Sequence, residues 1–152
     1  MTICTLGLTY AAAAFSFDER PDLILAEDLP TIDGEIDIPT FIERLAQMRP
    51  DRAVLERPRG VAKGYGHALA DPDRAFVALQ AAVIASGIPL AIVTSKAWRD
   101  AIGIAGGTGP ALHTALEQWP TRRDVFERRR HTGRAAAALL AFHADRLGEG
   151  RQ

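Results

Sequence analysis

The sequence predicts an α/β fold, a mixed five-stranded sheet in the order βββαβαβ flanked by helices. Three observations point there. Three short apolar runs lie close together at the start, over residues 2–8, 10–17 and 23–28, and read as strands with tight connections. Two further short runs, 53–56 and 90–94, alternate with segments of helical period. A length of 152 residues with 47% hydrophobic and 24% charged residues suits one domain with a sizeable core, here 1–147, leaving 148–152 as a frayed tail.

The elements follow in order. YAAAAFSF (10–17) is alanine-rich, so its reading as a strand rests on its neighbours more than on propensity. With LILAED (23–28) it completes an antiparallel meander. Asp33, Gly34 and Pro39 punctuate a loop, after which Phe41, Ile42, Leu45 and Met48 recur at helical spacing until Pro50. AVLE (53–56) is the fourth strand. A right-handed crossover puts it beside the first, which predicts that Thr5 and Glu56 lie close together with the last helix next to them. A polar loop runs from Arg57 to Ala70. Asp71 then caps a helix with Pro72 in its first turn, and Gly87 closes it. This helix is apolar nearly all round and is expected to be buried. LAIVT (90–94) is the fifth strand, and Thr94 caps a short helix holding Trp98. GIAGGTGP reads as a flexible connection. A helix follows from Pro110 to Gln118, then a basic segment and a final helix, RAAAALLAFHADRL.

The net charge of −1 hides a division: residues 1–51 carry −7 and residues 52–152 carry +6. Nine of the first ten acids lie between Asp18 and Glu43, whereas Arg122, Arg123, Arg128, Arg129, Arg130 and Arg134 form the densest basic stretch. Such asymmetry suits one face for a polyanion. No apolar run reaches about 18 residues, so no membrane span is expected. The single Cys4 excludes an internal disulfide and a cysteine metal cluster. The apolar start lacks a basic leading region and reads as strands, which gives a cytoplasmic expectation.

Four segments, TLGLTYA (5–11), AVLERPRG (53–60), IPLAIVTSKAWRDAIGI (88–104) and RRRHTGRAAAALLAFHA (128–144), resemble in order and spacing the RuvC-like Holliday-junction resolvases of the RNase H-like fold, above all phage-type members. That resemblance implies an RNase H-like sheet and a homodimer acting on four-way junctions. It also implies two Mg²⁺ ions held by four acidic or metal-binding side chains. Here the first Asp falls at Thr5, the second acid is the retained Glu56 and the last falls at Ala136. Its partner falls among His131, Thr132 and Gly133. Two Mg²⁺ carry four positive charges and want oxygen ligands, which one carboxylate and a hydroxyl do not supply. Weak metal binding or none is expected, with a single Mn²⁺ on Glu56 and His131 as the remaining option.

The phosphate contacts expected from the resemblance and the charge pattern are Arg57, Arg59, Lys63, Lys96, Arg99, Arg129, Arg130 and Arg134, with Tyr65 stacking on an unpaired base. The plainer readings have Glu56 paired with Arg57, Arg59 or Arg134, His131 capping a helix and Tyr65 folded over the core. The function expected is binding of branched or structured DNA by a protein whose nuclease activity is impaired or absent. One alternative is an active Mg²⁺- or Mn²⁺-dependent junction endonuclease whose site is rebuilt from Asp124, Glu127 or Asp18. Another is an interaction scaffold that uses the acidic first third and does not bind DNA.

Overall fold

In the computed structural model, which describes residues 1–58 and 71–149, alternating strand and helix signals become two helical layers around one sheet. Strands β1 (Cys4–Leu8), β2 (Ala12–Phe17) and β3 (Ile24–Asp28) form the antiparallel meander. A small hairpin, β4 (Thr31–Ile32) and β5 (Glu35–Ile36), leads to α1 (Ile38–Met48). Then come β6 (Arg52–Arg57), α2 (Pro72–Ala85), β7 (Leu90–Thr94), α3 (Ser95–Ile102), α4 (Thr108–Gln118) and α5 (Arg123–Phe126). A 3-10 turn (Arg129–His131), α6 (Thr132–Phe142) and α7 (Ala144–Glu149) complete the chain. The sheet order is β3-β2-β1-β6-β7, with β6 parallel to β1 and β7 parallel to β6. The expected order βββαβαβ is therefore present, with the hairpin added.

Strand side chains alternate between the two faces. Leu6, Leu8, Ala13, Phe15 and Leu55 pack with Phe41 and Leu45 of α1 and with Phe76, Leu79 and Val83 of α2. Ala12, Ala14 and Val54 point the other way, into a core with Trp98, α4 and the alanines of α6. Three carboxylate or hydroxyl caps start the helices, each accepting a backbone N–H two or three residues on: Asp37 from Thr40, Asp71 from Arg74 and Thr94 from Ala97.

Four expectations need correction. Asp33 (φ 51°) and Gly34 (φ 79°) form a tight two-residue hairpin turn instead of a plain loop. β2 begins at Ala12, because Tyr10 and Ala11 belong to the turn. The final helix divides at His143. Helix α2 is not buried all round: one stripe faces the sheet, while Val77 and Ile84 remain 62% and 59% exposed.

The alanine content of β2 has a packing cause. Helix α6 lies so close to the sheet that a Cβ on Gly7 would sit 2.0 Å from the Ala137 carbonyl oxygen and 2.7 Å from the Ala141 nitrogen. Only small residues permit that approach, and α6 supplies Ala135, Ala136, Ala137 and Ala138, all fully buried. Replacing Gly7 with Ala is expected to cost about 3 kcal/mol or more, since backbone must move to admit the methyl. Gly109→Ala, where nothing stands within 4 Å of the added carbon, is the control. Thermal melts of both variants measure this, with a fall of several degrees expected for Gly7→Ala alone.

Candidate functional site

β1 and β6 run parallel, and each passes from an apolar leucine to a polar residue at its C-terminal end. The register pairs Thr5 with Arg52, Gly7 with Val54 and Leu8 with Leu55. Continued by one residue, it sets Thr9 beside Glu56. Thr9 and Glu56 both belong to the face covered by α6, as alternation from Gly7 and Val54 requires. Thr5 shares that face but lies four residues back along the strand, about 13 Å away at strand rise. There its hydroxyl accepts from Arg52 Nε at 2.8 Å, and Arg52 also holds Asp145 of α7 at 2.5 Å. The expectation that Thr5 adjoins Glu56 is thus corrected to Thr9. The signal was in the sequence: Leu8-Thr9 ends its strand as Leu55-Glu56 ends its own.

Thr9 is fully buried. Its Oγ1 accepts from the Ala11 and Ala12 amides at 3.2 and 3.1 Å, and its own N–H donates to the Ala12 carbonyl at 3.0 Å. The hydroxyl therefore holds the β1–β2 turn. Glu56 is only 3% exposed, and Trp98 Nε1 donates to its Oε2 at 2.6 Å. Trp98, itself fully buried on α3, thus links that helix to the end of β6. The sequence places Trp98 on a short helix, and nothing in its spacing points to this bond.

Helix α6 begins against the same spot. A Cβ on Gly133 would meet Ala11 Cβ at 3.1 Å and Thr9 Oγ1 at 3.6 Å, so Gly133 is the α6 position that faces Thr9. Ala136 is fully buried in the core. Thr132 Oγ1 donates to the Arg129 carbonyl at 2.6 Å. His131, 4% exposed, accepts the Arg128 amide on Nδ1 at 3.3 Å and so closes the 3-10 turn. Burial, then Arg134 and Arg130, hold its pKa below the ordinary histidine value against an opposing pull from Asp28.

These donors do not fit two divalent cations. Gly133 and Ala136 offer no ligand, the Thr9 oxygen is engaged by two amides and His131 Nδ1 is taken. Among the described residues no group of three or more His, Cys, Asp or Glu could hold a metal. The acids considered as replacements lie elsewhere: Asp124 pairs with Arg122 at 3.3 Å, Glu127 with Arg123 at 3.7 Å, and Asp18 accepts the Ile3 amide at 2.6 Å.

The expected phosphate contacts divide. Arg129 and Arg130 are exposed, as is Arg128, and none of the three is in an ion pair among the described residues. Arg57 is exposed, with its guanidinium 4.9 Å from the centre of the Phe76 ring. Lys96 pairs with Asp100 at 2.6 Å. Arg134 is engaged by Asp28 through two bonds, of 2.9 and 3.0 Å. Arg99 is corrected: it is 7% exposed, lies against the Trp98 ring and donates to the Ala105 carbonyl and to Ser95, so it supports the site's wall and does not face solvent. Arg59, Lys63 and Tyr65 lie outside the described residues.

No protein-family model matches the chain, and no curated protein does. Solved structures match the fold. RuvC of Thermus thermophilus in complex with a Holliday junction substrate is 16% identical, with 96% of each chain covered and a TM-score of 0.62. Another Thermus thermophilus RuvC structure is also 16% identical, covering 96% of this chain and 97% of that one, with a TM-score of 0.55. The chain therefore has the RuvC-like form of the RNase H-like fold. Among the described residues no helix is long and apolar enough to cross a membrane.

Replacing Trp98 with Phe removes the N–H bond to a buried carboxylate and leaves a small cavity where the second ring of the indole packs. A loss of about 1.5–3 kcal/mol is expected, to be measured by urea denaturation against the wild type.

Proposed function

We propose that this chain binds branched DNA of the four-way-junction type and cleaves it weakly or not at all. One observation carries the reading: the sheet end where RuvC-like resolvases gather acids sets Glu56 beside Thr9 and opposite Gly133, and among the described residues no group of three or more His, Cys, Asp or Glu could hold a metal. The RuvC-like fold and the exposed run Arg128–Arg130 beside that end support binding. The stripped donor set supports loss of chemistry, because in-line hydrolysis on two metals needs both ions held. On this reading Thr9 takes the position of the first resolvase aspartate, Glu56 keeps its acid as an internal partner of Trp98, phosphates are contacted by Arg128, Arg129, Arg130, Arg57, Arg59 and Lys63, and Tyr65 stacks on an unpaired base.

The test pairs binding with cleavage on a labelled four-way junction in EDTA, Mg²⁺ and Mn²⁺. A junction-specific, salt-sensitive shift of equal strength in EDTA and Mg²⁺, without product, is the expected result. Symmetric Mg²⁺-dependent nicks abolished by Glu56→Gln would overturn the loss of chemistry. No shift at low salt on junction or linear DNA would instead favour the scaffold reading.

We further propose that the chain acts as a homodimer through the exposed side of α2. Val77, Ala81 and Ile84 recur there at helical spacing, and Val77 and Ile84 are more than half exposed. Ile84→Glu is expected to shift the protein to a monomer in sedimentation velocity while leaving its melting temperature nearly unchanged.

A further inference from the structure

Asp28 and Arg134 stand on the rim of the sheet that also carries Thr9 and Glu56. Asp28 ends β3, and its backbone is in register with Ala12, just past the Thr9 turn. Arg134 lies in the first turn of α6, next to Gly133. Its Nε and Nη2 donate to the two oxygens of Asp28 at 2.9 and 3.0 Å, a two-pronged pairing. The Arg134 side chain is 20% exposed and that of Asp28 56%. Glu27, next to Asp28 on β3, is bound by Arg44, while Arg128, Arg129 and Arg130 are exposed one turn before Arg134.

A carboxylate that engages a guanidinium through two oxygens presents the same fork that a phosphodiester presents. A half-exposed pair adds little to folding, so its main effect is on what Arg134 can bind. We propose that Asp28 is a built-in competitor for nucleic-acid phosphate at Arg134. It occupies the guanidinium in the unbound protein and gives way only to a phosphate that can displace it. This rests on the DNA-binding reading and specifies one of its contacts. Displacement needs only a side-chain rotation, because both bonds to the Asp28 carboxylate come from Arg134. Asp28 thus restrains affinity beside the exposed run Arg128–Arg130.

The experiment measures binding of a fluorescein-labelled four-way junction over a KCl series for wild type, Asp28→Asn, Arg134→Ala and the double variant. Asp28→Asn is expected to bind about five-fold more tightly at 0.15 M KCl and to steepen the log–log salt slope by about 0.9, one added phosphate contact. Arg134→Ala alone is expected to change affinity by less than about two-fold, and the double variant to lose the gain. Asp28→Ser should repeat the result, and melting curves confirm that each variant folds. Unchanged affinity and slope in Asp28→Asn, with wild type binding normally, overturns the proposal. An equal gain when Arg134 is already Ala also overturns it, since the effect would then be general repulsion. Absence of binding by wild type and every variant at low salt overturns the DNA reading itself and this contact with it.

Discussion

The contact between α6 and the β1–β2 hairpin governs most of this structure. Gly7 lacks the side chain that would collide with the Ala137 carbonyl, and the facing alanines of β2 and α6 keep the two layers close. Burial at so short a separation yields dispersion contacts between backbone atoms as well as side chains. The same approach sets the start of α6 against Thr9, swings Arg134 to the end of β3 and leaves Arg128–Arg130 on the rim. It also limits what position 133 can carry: a methyl there would already crowd Ala11 at 3.1 Å. A larger side chain at that point would need Ala11 to give way.

Glu56 is an acid buried near the end of β6. A carboxylate 3% exposed is costly unless its oxygens are bonded. Trp98 provides a neutral donor at 2.6 Å, and Arg99 braces the indole ring from a guanidinium 4.8 Å from its centre. The arrangement ties α3 to β6 and fixes Trp98 in one orientation. Glu56 therefore has a structural role in this chain as the partner of Trp98.

Much of the fold was legible in the sequence because it follows from local signals. The strand runs, the Asp71 and Thr94 caps and the alternation after residue 52 all depend on neighbours within a few positions. What was not legible depends on pairing across the sheet. The sequence has threonine at both 5 and 9, and only the register of Leu8 on Leu55 assigns the second to Glu56. Likewise, Arg99 and Arg134 resemble Arg129 and Arg130 in any charge count. Their difference comes from the Ala105 carbonyl and from Asp28, which no spacing in the sequence brings near them. The hairpin at Asp33-Gly34 was a missed local signal, an Asp-Gly pair between two residues of strand type.

The division between an acidic first third and a basic remainder also changes meaning in three dimensions. Glu27 is bound by Arg44 at 2.7 Å, Asp28 by Arg134 and Glu35 by Arg74 at 3.3 Å, while Arg122 donates to the Ile24 carbonyl at 2.6 Å. Two of these four arginines, Arg122 and Arg134, come from the densest basic stretch, and β3 holds both. The two halves of the charge pattern are therefore partly spent on each other, across the edge of the sheet. Among the described residues, the exposed arginines near the Glu56 end are Arg57 and the run Arg128–Arg130, which includes the 3-10 turn that His131 closes. The three side chains of that run lie just before the start of α6, whose Gly133 faces Thr9.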